Sequence, residues 1–137
     1  MKQKLMSFGL KGVLALIVSL TLVVAACSSP ASPPSGTSSG KPVQLKVTAQ
    51  NFAFDTKTIT VPAGAAVTIT FVNNDASAVH NIAIYNDSTA ATSIFKGENI
   101  TGPKTTTYQF TAPSKSGTYF FRCDAHPTIM TGSFVVE

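Results

Sequence analysis

Residues 117–137 read GTYFFRCDAHPTIMTGSFVVE. Each end of this stretch, Gly117–Cys123 and Thr131–Glu137, is a short run rich in β-branched and aromatic residues, the composition of a half-buried strand. Between the two runs, Cys123, His126 and Met130 fall within eight residues, on what must be an inter-strand loop. The stretch therefore predicts two strands joined by a loop that carries three side chains able to hold a metal.

Working outward, the same period-2 pattern recurs upstream. Val43–Ala49 places Val43, Leu45 and Val47 on one face. Lys57–Val61 is a second short run, ended by Pro62-Ala63-Gly64. Ala66–Val72 sets Val67, Ile69 and Phe71 against a threonine face. Val79–Tyr85 alternates again, and Thr105–Phe110 puts Tyr108 and Phe110 on one side. The breaks hold turn formers: Asn73-Asn74-Asp75, Asn86-Asp87, Gly102-Pro103 and Pro113–Gly117. Asp87–Ile100 fits a loop, a short helix or an edge strand. Seven or so short strands in about 100 residues predict an all-β domain, an antiparallel Greek-key β-sandwich over residues 43–137.

Ahead of this domain the composition changes twice. Residues 1–11 carry Lys2, Lys4 and Lys11, and residues 12–26 (GVLALIVSLTLVVAA) are almost wholly apolar. Fifteen such residues fall short of the ~20 needed to span a bilayer. A basic start, a short apolar run and small residues at its end read as an export signal over residues 1–26. Val24-Ala25-Ala26-Cys27 resembles the bacterial lipobox, which implies that Cys27 is lipidated and heads the mature chain. Residues 28–42 (SSPASPPSGTSSGKP) hold six Ser, four Pro and two Gly, with nothing large enough to build a core. Residues 27–42 are expected to be a lipidated, disordered tether with a reach on the order of 20 Å.

The chain has 137 residues and a formal charge of +4. Loss of Lys2, Lys4 and Lys11 with the signal leaves seven basic and six acidic side chains, a net of +1. That is no basic stripe, so nucleic acid is not an expected partner. The sequence has no Gly-rich phosphate loop, no H-E-x-x-H and no C-x-x-C.

Two cysteines in an exported chain suggest a disulfide. If Cys27 carries lipid, however, Cys123 is a lone thiol in an oxidising compartment, which asks for a reason. The chain has two histidines, His80 and His126, and Met130 is the one methionine beyond the signal. One Cys, two His and one Met are the ligand set of a blue-copper site. Thiolate and thioether favour Cu(I), imidazole accepts both oxidation states, and a trigonal His₂Cys set with a weak axial Met changes little when an electron arrives. An enzyme is not expected. Cys123 and His126 could be imagined as nucleophile and base, but no third group orients them and no oxyanion hole is evident. Met is a poor zinc ligand, and two histidines are too few for a multi-copper enzyme.

On these residues the domain resembles the cupredoxins of the plastocyanin, amicyanin and pseudoazurin type. The resemblance covers most of residues 43–137. It rests on Ile59–Gly64 with Val67–Asp75, on His80-Asn81-Ile82, on Gly117–His126 and on Met130–Val136. It implies His80, Cys123 and His126 as equatorial ligands of one type 1 copper, Met130 as its axial ligand and Asn81 as a hydrogen-bonding brace of the ligand loop. The spacing C-x₂-H-x₃-M is one residue longer between His and Met than in amicyanin-like loops and one shorter than in plastocyanin-like loops. The resemblance further implies a one-electron carrier between transient redox protein partners, with His126 as the electron port and Pro127 and Ile129 in an apolar patch around it. Copper storage, delivery or sensing without redox turnover is the alternative. The protein is expected to be a monomer, exported and anchored by lipid to the outer face of the cytoplasmic membrane.

Overall fold

Alternation along Ala65–Asn73 shows how the domain is built: Ala65, Val67, Ile69, Phe71 and Asn73 are buried, and the residues between them are half-buried. A strand points successive side chains to opposite faces, so one face of this strand closes a core. The computed structural model describes residues 40–137. The export signal, Cys27 and the tether up to residue 39 lie outside the described residues. The described residues form strands and no helix. In chain order these are β1 (Gly40–Gln50), β2 (Ala53–Phe54), β3 (Thr58–Val61), β4 (Ala65–Asn73), β5 (Val79–His80), β6 (Ala83–Tyr85), β7 (Ser93–Lys96), β8 (Ile100–Thr101), β9 (Lys104–Thr111), β10 (Gly117–Arg122) and β11 (Thr131–Val136).

Two sheets carry the fold, ordered β2-β1-β4-β9 and β3-β11-β10-β6-β7, with β5 and β8 forming a separate short pair. Their inner faces meet through aromatic rings. Phe54 lies 5.3 Å from Phe121, and Phe110 lies 5.9 Å from Phe134 and 4.6 Å from Phe95. Phe71, Phe121 and Phe134 are fully buried, each contributing roughly 1.5–3 kcal/mol of burial. Gly132 leaves room for this layer. A Cβ there would overlap the Phe121 ring and come within 2.7 Å of the Lys57 carbonyl.

The expected sandwich is present, but its sheets are mixed. β1 runs parallel to β4, and β3 runs parallel to β11. The chain leaves the first sheet after β2, forms β3 in the second and returns through Pro62-Ala63-Gly64. That turn closes by the Ala65 N–H donating to the Pro62 carbonyl at 3.2 Å, with Gly64 at φ 65°. Leaving and returning in this way sets β4 beside β1 in the same direction.

Three other expectations are refined. β1 begins at Gly40, ahead of the alternating run that starts at Val43. Val79–Tyr85 is two strands in different sheets, and every residue from His80 to Tyr85 is buried. The apparent alternation fails because both faces of this segment are covered. Within Asp87–Ile100 the edge strand is realised, as β7 beside β6.

Candidate metal centre

β10 ends at Arg122, and Cys123 is the first residue of the loop to β11. Backbone hydrogen bonds close this loop on itself. The Cys123 N–H donates to the Met130 carbonyl at 2.9 Å, the His126 N–H to the Cys123 carbonyl at 3.1 Å and the Met130 N–H to the His126 carbonyl at 3.1 Å. The three residues are thus held by the backbone, independently of any ion. Cys123 and Met130 are fully buried, and His126 is half-buried.

His80 reaches the same point from β5, 43 residues upstream. Its ring is fully buried. Cys123 Sγ lies 3.7 Å from His80 Nδ1 and 3.7 Å from His126 Nδ1, and the two Nδ1 atoms are 3.2 Å apart. A triangle with these sides has its centre about 2 Å from each corner, the length of a bond from a first-row metal ion to imidazole nitrogen and close to that for thiolate sulfur. The donor set fits a soft to borderline ion in a trigonal site. Among the described residues this is the one group of His, Cys, Asp and Glu side chains arranged to hold a metal. Met130 adds a buried thioether to the same loop.

The surroundings orient these groups. Asn81 is 3% exposed and bonds at both ends: its Nδ2 donates to the Gly97 carbonyl at 3.0 Å, and its Oδ1 accepts from the Asp124 N–H at 2.8 Å. It ties the residue after Cys123 to the segment between β7 and β8. His80 Nε2 lies in hydrogen-bond distance of Asp75 Oδ2, at 2.9 Å, and Nδ1 of the same ring faces Cys123 and His126. The Phe52 N–H, opposed by burial and helped by the Asn51 N–H and the His80 ring, holds the Asp75 carboxyl below its ordinary range. Asp124 accepts on one oxygen from Tyr85 Oη–H at 2.7 Å and from Arg122 Nε–H at 2.8 Å. Burial alone would raise the Asp124 carboxyl, but these two donors and the Arg122 charge bring it below its ordinary value.

Asp75, Phe52 and the Tyr85–Arg122–Asp124 cluster were not singled out from sequence. Asp75 lay in a run of turn residues, and nothing local distinguishes it from Asn73 or Asn74. Phe52 lay between two predicted strands. It is 47% exposed, with its ring edge-on to His80 at 5.6 Å and to His126 at 5.0 Å. Ile129 is 57% exposed, and Pro127, which follows His126 in the chain, is exposed too. Half-buried His126 is therefore flanked by apolar side chains open to solvent.

Comparisons with known proteins identify the family and the fold. The family model described as a cupredoxin-like domain matches residues 14–136. The structure is similar to dithionite-reduced auracyanin of the photosynthetic bacterium Roseiflexus castenholzii, with a TM-score of 0.63 and 27% identity over 72% of this chain and 99% of that one. It is also similar to auracyanin A, a blue copper protein of the green thermophilic photosynthetic bacterium Chloroflexus aurantiacus, with a TM-score of 0.62 and 29% identity over 70% of this chain and 99% of that one. A rusticyanin structure aligns with a TM-score of 0.56 and 26% identity over 72% and 79% of the two chains. No curated protein matches the chain by sequence.

Proposed function

Since the chain belongs to the cupredoxin-like domain family, whose members bind one type 1 copper and carry electrons, we propose that it is a membrane-tethered one-electron carrier. His80, Cys123 and His126 would hold the copper through two imidazole nitrogens and a thiolate, with the Met130 thioether as the fourth donor. The observation that carries this reading is the triangle of Cys123 Sγ, His80 Nδ1 and His126 Nδ1, with sides of 3.2–3.7 Å. Bound there, copper supplies a one-electron couple that the ligand set accommodates in both oxidation states.

The chain's own groups supply the rest. Closed backbone hydrogen bonds keep Cys123, His126 and Met130 in place as the charge changes. Asn81 braces the loop through the Asp124 N–H. Burial of His80, Cys123 and Met130 keeps water from the site. His126 is the electron port, and Phe52, Pro127 and Ile129 form the apolar rim on which a redox protein docks briefly. A mature net charge near +1 favours contact over long-range steering.

The export signal over residues 1–26 directs the chain out of the cytoplasm and is removed, and the lipid on Cys27, through the tether that runs from Cys27 to β1, holds the folded head on the outer face of the cytoplasmic membrane. Cys27→Ser is expected to move the protein from the membrane fraction to the soluble fraction. The copper reading is tested by loading the head with Cu(II) and recording its visible spectrum before and after ascorbate. An intense charge-transfer band that bleaches and returns on reoxidation is expected. Weak absorption alone would show that Cys123 does not bind Cu(II).

A further inference from the structure

Asp75 joins the metal centre to a turn that is strained in a specific way. Gln50 pairs with Ala53, so β1 and β2 are linked by two residues only, Asn51 and Phe52. Both have positive φ, 52° and 56°. A two-residue hairpin of this hand requires positive φ at both positions, which is why Asn-Gly is its preferred sequence. Here Phe52 stands where glycine belongs, in a conformation that is unfavourable for an L-residue.

A single carboxylate compensates. Asp75 Oδ1 accepts from the Asn51 N–H at 2.6 Å, and Asp75 Oδ2 accepts from the Phe52 N–H at 2.9 Å. Successive backbone N–H groups in such a turn form an anion-binding concavity. Asp75 Oδ2 also receives the His80 Nε2–H at 2.9 Å. The carboxylate is itself held in place. Its backbone N–H donates to Asn73 Oδ1 at 3.0 Å, and buried Asn73 donates from Nδ2 to the Ala78 and Ile100 carbonyls. Only 12% of the Asp75 side chain is exposed.

We propose that Asp75 is a positioning residue for the copper centre: seated in the Asn51-Phe52 turn, its carboxylate fixes His80 as the Nε2–H tautomer, directs Nδ1 at the metal and makes the ring a stronger donor to Cu(II) than to Cu(I). This rests on His80 being a copper ligand. A carboxylate behind a ligating imidazole fixes its tautomer and raises its basicity, and the loss of such partners typically lowers metal affinity 10–100-fold. Added negative charge favours the more highly charged ion. The turn lets the carboxylate do this from a fixed place, and it leaves the Phe52 ring against the edges of both histidines.

The test compares the parent with Asp75→Asn and Asp75→Ala. First, nitrogen NMR of the imidazoles is recorded on metal-free protein in mildly alkaline buffer, where an ordinary imidazole is neutral. The parent is expected to show His80 protonated at Nε2, and Asp75→Ala to show a mixture of tautomers. Asp75→Asn keeps an acceptor oxygen while losing the charge, so it is expected to retain the tautomer. Second, each protein is titrated with Cu(II) and with Cu(I), and its reduction potential is measured. Both variants should bind Cu(II) more weakly, on the order of 10–100-fold for Asp75→Ala and less for Asp75→Asn, with Cu(I) less affected. A tenfold loss confined to Cu(II) raises a one-electron potential by about 59 mV.

Unchanged tautomer, affinities and potential in both variants would overturn the proposal, as would a parent His80 protonated at Nδ1. A parent that bound no copper would defeat the copper reading and with it the claim on the metal, while the tautomer comparison would still decide what Asp75 does to His80. If Asp75→Ala does not fold, Asp75→Asn carries the titrations: a lower Cu(II) affinity and a raised potential support the proposal, and parent values overturn it.

Discussion

Met130 poses the sharpest question at the scale of one residue, because it serves the core and is proposed to serve the metal. It is fully buried and belongs to the same cluster as Phe121, Cys123 and Phe134. Truncation mixes the two roles: Met130→Ala is expected to cost about 2–5 kcal/mol as a cavity in the core. Met130→Leu separates them, since a volume-conserving exchange usually costs below about 1.5 kcal/mol. The prediction is that Met130→Leu folds with near-parent stability, keeps its intense visible band and gains a higher reduction potential. Leucine leaves three donors in an apolar site, a low coordination number that Cu(I) accepts more readily than Cu(II). A potential equal to the parent's would assign Met130 to packing alone. Spacing placed this residue four positions beyond His126, and the buried, hydrogen-bonded loop explains why that spacing is tolerated: the Met130 N–H and carbonyl both bond within the loop.

Among elements, the segment from β5 to β6 departs most from its sequence reading. Period-2 alternation predicted one strand over Val79–Tyr85, and the structure divides it at Asn81-Ile82. There the main chain stops pairing along a single sheet. The Gly97 N–H donates to the Ile82 carbonyl at 2.8 Å, and Asn81 spends its side chain on Gly97 and Asp124. The division lets His80 belong to a small end pair with β8 while Ala83–Tyr85 belong to the main sheet. Asn81→Ala removes two bonds and leaves buried groups unmet at about 1–3 kcal/mol for such a loss. We expect the variant to melt earlier. We also expect it to exchange the Asp124 amide faster in hydrogen-exchange NMR. An Asp124 amide as protected as in the parent would show that the loop does not need this brace.

The molecule as a whole should show the charge arrangement in its response to acid. Three carboxyls lie below their ordinary range. Asp75 is lowered chiefly by the Phe52 N–H, Asp87 by the Thr89 hydroxyl and Asp124 by Tyr85 and Arg122 against the effect of burial. A carboxyl held below its unfolded value stabilises the fold fully above that value, about 3.9 for Asp, and the contribution fades as pH falls through the lowered folded value. The melting temperature of the metal-free head is therefore expected to vary little from neutrality to about pH 5 and to fall below about pH 4. A midpoint that rises on acidification would contradict these assignments.

The all-β class, the positions of most strands and the family resemblance were legible because each depends on local information. Alternation in Ala66–Val72 reports a one-sided core directly, and Cys123, His126 and Met130 are close in sequence because one loop carries them. His80 could be added because histidine is rare here: the chain has only two. What depends on packing from a distance was not legible. The parallel pairings of β1 with β4 and of β3 with β11 follow from the chain's passage between sheets, which no window of residues records. Asp75 looked like any turn residue until the fold set its carboxylate between the Asn51-Phe52 turn and the His80 ring. The sequence alone determined which residue types could hold a metal. The tertiary structure decided that their donor atoms converge to within bonding distance of one point, and which buried partners orient them, because both depend on contacts between segments that are remote along the chain.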